Sequence, residues 1–244
     1  MSERNILILD RERSPWPGFF EEFLEDSPSR INFCLESAAA GAALDRQPHD
    51  LAFVNPSLLS LALSQKLKVF RESSAGFRLF QIGAEKGTDH LPFDEAFSEP
   101  LVLEDFQKRF VRHLPLPETI RVLVVDDEAE IGAMARDFLE HRVDPCFQIE
   151  YVENGKKGLE IIRRRRPHVV VLDVKMPVKD GREVYREIRQ EKNPVPVIIF
   201  FDAISGDEMV EIHKYGKPAV VEKGARESAM PGMMYLIKKL AYFG

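Results

Sequence analysis

The chain has 244 residues, 44% of them hydrophobic and 30% charged. That is enough apolar material for packed cores, which excludes a mainly disordered chain, and enough length for two ordinary domains. The 34 basic and 40 acidic residues leave a net charge of −6, a poor match for a nucleic-acid binder, and no apolar run approaches the roughly 20 residues needed to span a bilayer. The first ten residues hold only four apolar residues together, too few for a secretory signal core. The two cysteines, Cys34 and Cys146, can build neither a disulfide framework nor a zinc cluster, and both are expected to be buried near strands. A cytoplasmic protein is the expectation.

In chain order, a short apolar run, Ile6-Leu7-Ile8-Leu9, ends in Asp10. A helical stretch, a strand and another helix are expected next, followed by a second apolar run, Leu51-Ala52-Phe53-Val54, ending in Asn55. A fifth strand is expected at 95–98, ending at Glu99-Pro100. Phe106, Phe110 and Val111 suit the buried face of a last helix. The segment His113 to Thr119 carries two prolines spaced by one residue, which stops a helix and favours extended backbone. It divides the chain into 1–114, a linker at 115–119, and 120–244.

The second part repeats the plan about 115 residues on. Its first run, Val122 to Val125, ends in Asp126-Asp127, and its second, Val169 to Leu172, ends in Asp173. Strands are predicted at 121–125, 147–152, 168–172, 196–201 and 219–222. Helices are predicted at about 129–141, 155–165, 181–191, 206–214 and 230–242. The strands are apolar without alternation, as expected when both faces are covered. Strands alternating with helices argue for an α/β fold in each half, a doubly wound parallel sheet of five strands in the order 2-1-3-4-5. The four arginines 163–166 read as a helix end rather than a nucleic-acid patch, and Met230, Met233 and Met234 as core.

Such sheets place functional residues at the carboxyl ends of their strands. Asp126 and Asp127 end the first strand of the second half, Asp173 ends the third, and Lys223 follows the fifth. An Asp after a strand is often only a helix N-cap. Three carboxylates and a lysine meeting on one edge are a different matter. Their mutual repulsion calls for a hard dication, and Mg2+ suits a few carboxylates plus water and a phosphate oxygen.

These residues resemble the CheY-like receiver domain of bacterial two-component response regulators. Val122 to Glu128 is similar to its first strand and acidic pair, Asn154-Gly155 with Gly158-Leu159 to its second helix start, and Val171 to Pro177 with Asp180-Gly181 to its phosphorylation motif. The resemblance covers about 120–244. It implies that Asp173 attacks the phosphohistidine of a partner, either a sensor histidine kinase or a phosphotransfer protein. It implies Mg2+ held by Asp126, Asp127, Asp173 and the backbone carbonyl of Lys175, with Lys223 pairing a phosphoryl oxygen.

Three positions depart from the family. Its Thr or Ser at the end of the fourth strand falls here on Phe201 or Asp202, depending on one gap, with Ser205 a displaced substitute. Its switch aromatic is Val220, and the proline after its lysine is Gly224. The first half keeps Asp10 but has Arg11, Asn55 and Glu99 where the second acid, the acceptor and the lysine would stand, so it resembles a degenerate pseudo-receiver. Arg11 is expected to supply an internal positive charge there. No output segment is expected after the last helix, so signalling would pass to a downstream protein partner, with a homodimer one expected assembly, and the chain would not be an enzyme. Two other readings stay open: a phosphorylation-independent adaptor, and a Mg2+-dependent phosphohydrolase, against which Lys175 stands where a second acid would be needed.

Overall fold

The computed structural model describes residues 4–25, 29–83, 91–99, 102–143, 145–224 and 226–244. The chain divides into two compact units, one ending at Pro115 and one beginning at Leu116. The predicted Pro100 lies outside the described residues.

In the first unit the strands are β1 (Arg4–Leu9), β2 (Ser29–Cys34), β3 (Leu51–Val54), β4 (Arg78–Ile82) and β5 (Glu95–Phe97). They pair in parallel in the order β2-β1-β3-β4-β5. The helices are α1 (Trp16–Phe23), α2 (Ser37–Arg46), α3 (Leu61–Ser73) and α4 (Leu103–Phe110). Successive side chains of a strand point to opposite faces, so β1 divides its residues between two cores. Leu7 and Leu9 pack with Ala40 and Leu44 of α2 and Leu63 and Leu67 of α3. On the other side lies an aromatic core. Phe53 stacks on Phe80 with centroids 4.8 Å apart and meets Phe20 at 4.4 Å, while Phe106 lies 4.7 Å from Phe97. Phe106, Phe110 and Val111 are buried as their spacing predicts.

In the second unit the strands are β6 (Thr119–Val125), β7 (Cys146–Val152), β8 (Val169–Asp173), β9 (Val197–Phe201) and β10 (Ala219–Glu222). Their order is β10-β9-β8-β6-β7, all parallel, which is 2-1-3-4-5 read from the other edge. The helices are α5 (Ala129–Leu139), α6 (Gly155–Arg165), α7 (Gly181–Gln190), α8 (Gly206–His213) and α9 (Arg226–Phe243). Ile120, Val122 and Val124 face Ile131 and Leu139 of α5 and Met230, Met233 and Ile237 of α9. Leu123 and Val125 face Leu159 and Ile162 of α6 and Val184, Tyr185 and Ile188 of α7. Each face of the sheet is thus covered, which is why β6 and β8 read as apolar runs.

Several expectations are corrected here. Thr119 is the first residue of β6 rather than the last of a linker. α9 begins at Arg226, with Pro231 inside it, instead of at 230. A proline invites placing the helix start beside it, but an internal proline is tolerated where packing outweighs the lost hydrogen bond, and Met230 and Met233 are both buried. Cys34 is buried, but Cys146 is exposed. It opens β7, the edge strand of its sheet, and Cys146 and Gln148 share the outer alternation of that strand while Phe147 and Ile149 point inward. The four-arginine run does end a helix: Arg163 pairs with Glu187 and Glu191, Arg165 with Glu150, and Arg166 caps α6 in the left-handed region.

Candidate functional site

The carboxyl edge of the second sheet gathers the acidic residues. β6 delivers Asp126, whose backbone N–H donates to Val152 O at 3.1 Å, holding it at the strand end. Asp173 closes β8, paired with Phe200 of β9. Lys223 follows β10, its N–H donating to Phe201 O at 2.6 Å. The loop after Asp173 is shaped by Asp180, which caps α7 in a reciprocal capping box with Glu183. Gly181 is required at the start of that helix, because a Cβ there would lie 2.0 Å from Asp173 O. Val178 in the same loop sits at φ +72, a region that costs a β-branched residue dearly.

Lys223 is the centre of the site. Its side chain is 2% exposed, and its Nζ lies 2.9 Å from Asp173 Oδ1 and 3.0 Å from Asp126 Oδ2. Glu128 Oε1 stands at 3.5 Å and Asp202 Oδ2 at 3.7 Å. Asp126 Oδ1 accepts from the Glu128 N–H at 3.0 Å, but Asp126 Oδ2, though close to the lysine, has no aligned hydrogen-bond donor. Asp127 is exposed at the rim. A cavity of about 140 Å³ opens beside these groups, lined by Asp127, Glu128, Asp173, Lys175, Asp202 and Lys223 among others.

The electrostatics follow from one cation shared by two buried anions. Burial pushes the Asp126 carboxyl up to about 6, aided by the charge of Asp173 and opposed by the Glu128 N–H and Lys223. Burial also raises Asp173, with Asp127 adding to the rise and Lys223 and the Lys175 N–H opposing it. Burial alone would lower the Lys223 ammonium, but its close contacts with the Asp173 and Asp126 carboxylates override it and hold it above the ordinary lysine value. The lysine is therefore firmly charged, and one ammonium cannot balance both carboxylates once both are ionised. Hard oxygen donors, an excess of negative charge and the unaligned Asp126 Oδ2 suit a small dication that takes few protein ligands and keeps its waters. Among the described residues no group of three or more His, Cys, Asp or Glu side chains is already arranged to hold a metal ion.

The equivalent edge of the first sheet holds a different network. Asp10 and Asn55 are buried. Asn55 Nδ2 donates to Asp10 Oδ1 at 2.8 Å and Ser14 Oγ donates to Asp10 Oδ2 at 2.7 Å. Asn55 Oδ1 accepts from the Ser57 N–H at 3.1 Å and the Ser57 hydroxyl at 2.7 Å. Arg11 is exposed at the mouth of this site, and its Nη2 reaches Ser57 Oγ at 3.3 Å. Neutral donors thus reach both oxygens of Asp10. Glu99 is exposed and joins Asp10, Arg11 and Asn55 in lining a cavity of about 380 Å³.

The sequence signals thus bring Asp126, Asp173 and Lys223 together, with Asp127 and Lys175 beside them. Ser205 is not a substitute hydroxyl, because it caps α8 in a box with Glu208. Phe201 is half-buried in the core under α6 and α7, and Val220 is 44% exposed on β10. Three participants were not singled out by sequence reasoning. Glu128 follows directly on the acidic pair, which was the available signal. Ser14 and Ser57 lie four residues after Asp10 and two after Asn55, spacings at which serine commonly bonds back to an Asp or Asn.

The response regulator receiver domain model matches residues 122–234. Over 122 residues, 47% of this chain and 33% of the relative, the sequence is 40% identical to the protein-glutamate methylesterase/protein-glutamine glutaminase 2 of Methanosarcina acetivorans. Over 91 residues, 37% of this chain and 38% of the relative, it is 34% identical to the response regulator MprA of Mycolicibacterium vanbaalenii. The chain spans about a third of the length of these curated relatives. Among solved structures, the response regulator domain of Thermotoga maritima CheB is similar at 23% identity and a TM-score of 0.46, over 50% of this chain and 96% of that one. The receiver domain of a putative Luxo repressor protein from Vibrio parahaemolyticus is similar at 28% and 0.45, over 50% and 92%. With the parallel order of its sheet and its matching sequence, the second half of the chain is a response regulator receiver domain of two-component signalling.

Proposed function

We propose that the chain is a response regulator that accepts a phosphoryl group on Asp173 from the phosphohistidine of a kinase or phosphotransfer protein and signals by protein–protein contact. The observation that carries this reading is the buried Lys223 ammonium held 2.9 Å from Asp173 and 3.0 Å from Asp126. A firmly charged lysine beside a cavity of phosphoryl size stabilises charge where the phosphoryl group would sit. Asp126, Asp127, Asp173 and the backbone carbonyl of Lys175 are the groups that would hold Mg2+. Bound there, the ion would offset the excess negative charge and polarise a phosphoryl oxygen. Asp173 acts as the nucleophile, kept in place by Lys223 and the Lys175 N–H, with no general base needed for a carboxylate.

In the same reading residues 1–114 are a receiver-like module without acceptor chemistry, joined through 115–118 to the phosphorylatable half that begins with β6 at Thr119. An amide stands at Asn55, and among the described residues no lysine lines the cavity beside Asp10. That half would serve docking or homodimerisation in the cytoplasm, with a downstream protein partner reading the output. Incubation with acetyl phosphate and Mg2+, followed by mass spectrometry, tests the proposal. Label is expected on Asp173 and nowhere in 1–114, and label persisting in Asp173→Asn overturns it.

A second reading is favoured by one observation: Val220, where the switch aromatic would be, is a small exposed side chain. In this reading the chain is a phosphorylation-independent adaptor. Titration with beryllofluoride and Mg2+ separates the two, because the adaptor leaves amide chemical shifts and self-association unchanged. A phosphohydrolase reading predicts turnover of small phosphomonoesters, a step for which Lys175 supplies no acid.

A further inference from the structure

Asp202 follows β9 directly and turns its carboxylate toward Lys223, with Oδ2 3.7 Å from Nζ. It lines the same small cavity as Asp173. The lysine therefore faces four carboxylates, from Asp126, Glu128, Asp173 and Asp202. Of these Asp126 and Asp173 are buried, while the Asp202 side chain is 62% exposed on the open side, where a phosphoryl donor must enter. A donor that delivers a phosphoryl group to Asp173 must bring its negative oxygens to the same ammonium. It then lies within a few ångströms of the negative charge of Asp202, which forms no bond to phosphorus in the transfer.

We propose that Asp202 is a charge gate that slows phosphoryl entry onto Asp173. The proposal rests on Asp173 being the acceptor. With acetyl phosphate, a carboxylate oxygen of Asp173 forms a bond to phosphorus as the bond from phosphorus to the acetate oxygen breaks. Acetate leaves with the electron pair, and no proton is transferred. The dianionic donor and the transferring group both carry their charge past Asp202, so the gate acts on the rate of this step. Because Asp202 is exposed, its repulsion is screened by salt, which distinguishes a field effect from a packing effect.

The test compares wild type, Asp202→Asn, which keeps the shape and removes the charge, and Asp202→Glu, which keeps the charge. The rate of labelling by acetyl phosphate is followed at fixed Mg2+ from about 0.1 M to about 1 M salt, where the screening length falls from about 10 Å to about 3 Å. Asp202→Asn is expected to label about tenfold faster than wild type at the low-salt end, with the ratio closing as salt rises. Asp202→Glu is expected to track wild type. Equal rates on Asp173 for wild type and Asp202→Asn at every salt overturn the gate alone. A faster Asp202→Asn whose advantage does not change with salt also overturns it, since that is a packing effect. If neither protein is labelled, the acceptor reading falls and the gate with it.

Discussion

The two halves build the same sheet edge and then treat a buried aspartate in opposite ways. At the end of β1, Asp10 is satisfied by an amide and a hydroxyl, both neutral, and both of its oxygens are bonded. At the end of β6, Asp126 shares one lysine with Asp173, and one of its oxygens has no aligned donor. The first arrangement is closed and the second is left electrically incomplete. A buried charge fully hydrogen-bonded by neutral groups stabilises a fold without inviting a ligand, whereas excess charge held against a fixed cation is a site waiting for a counter-ion. The same topology therefore supports a closed, hydrogen-bonded edge in one half and an electrically open edge in the other.

The largest expected effect comes from removing the cation that defines the second arrangement. Lys223→Met leaves two buried carboxylates facing each other. Stability of the second half is expected to fall by about 3–5 kcal/mol at neutral pH, and labelling of Asp173 to be lost. Urea denaturation with hydrogen exchange read by mass spectrometry assigns the loss to 116–242, and an unchanged exchange pattern there breaks the contrast. Next in size is one substitution made at both equivalent positions. Asp126→Asn relieves the excess charge while Oδ1 still accepts from the Glu128 N–H, and is expected to stabilise the Mg2+-free protein by about 1–3 kcal/mol. Asp10→Asn sets an amide N–H against the Asn55 amide or the Ser14 hydroxyl, and is expected to destabilise by about 1–3 kcal/mol. Opposite signs in matched denaturation curves are the signature; equal signs would mean that the two edges do not differ as described.

Much of this was legible in the sequence where the chemistry uses scarce residue types at strand ends. Asp126, Asp173 and Lys223 stand out because charged groups rarely close a fully apolar strand unless something there needs them. The sheet order was legible for a related reason, since apolar runs separated by helical stretches admit few parallel arrangements. The satisfaction of Asp10 was not legible. Serines such as Ser14 and Ser57 are common in loops, and only the folded backbone shows which of them turns inward. The exposure of Cys146 was hidden because the predicted strand began at 147, so Cys146 was not counted in the alternation that turns Phe147 and Ile149 inward and Cys146 and Gln148 outward.

A smaller effect belongs to the loop after Asp173, which differs from its place in the first half, where Asn55 caps a short 3-10 turn from Pro56 to Leu58. Val178 holds φ +72 with its side chain 79% exposed, so it loses little packing and carries the full steric cost of a left-handed β-branched residue. Val178→Gly removes that cost but gives the unfolded chain more freedom. The net expected gain is about 1 kcal/mol, read as a rise in the denaturation midpoint with an unchanged slope.

The smallest effect is a pH slope, and it tests whether the first half is a neutral structure throughout. His49 is buried just before β3, with Nδ1 donating to Gln47 O at 3.1 Å and Nε2 accepting from Asn32 Nδ2 at 3.2 Å. That pairing fixes the neutral tautomer. Burial lowers the His49 pKa, against the opposing pull of the Gln47 carbonyl and the Asp50 charge. The unfolded chain, with an ordinary histidine value near 6.5, takes up its proton first as pH falls. The stability contributed by neutral His49 is therefore present above that value and is lost as pH drops through it toward the lower folded value. Protonation would also set a donor at Nε2 against the Asn32 amide. His49→Gln, which cannot titrate, should flatten the dependence of first-half stability between about pH 7 and pH 5. A slope that survives His49→Gln would place the titrating group elsewhere, and the first half would then hold a charge-sensitive site of its own, as the second half does around Lys223.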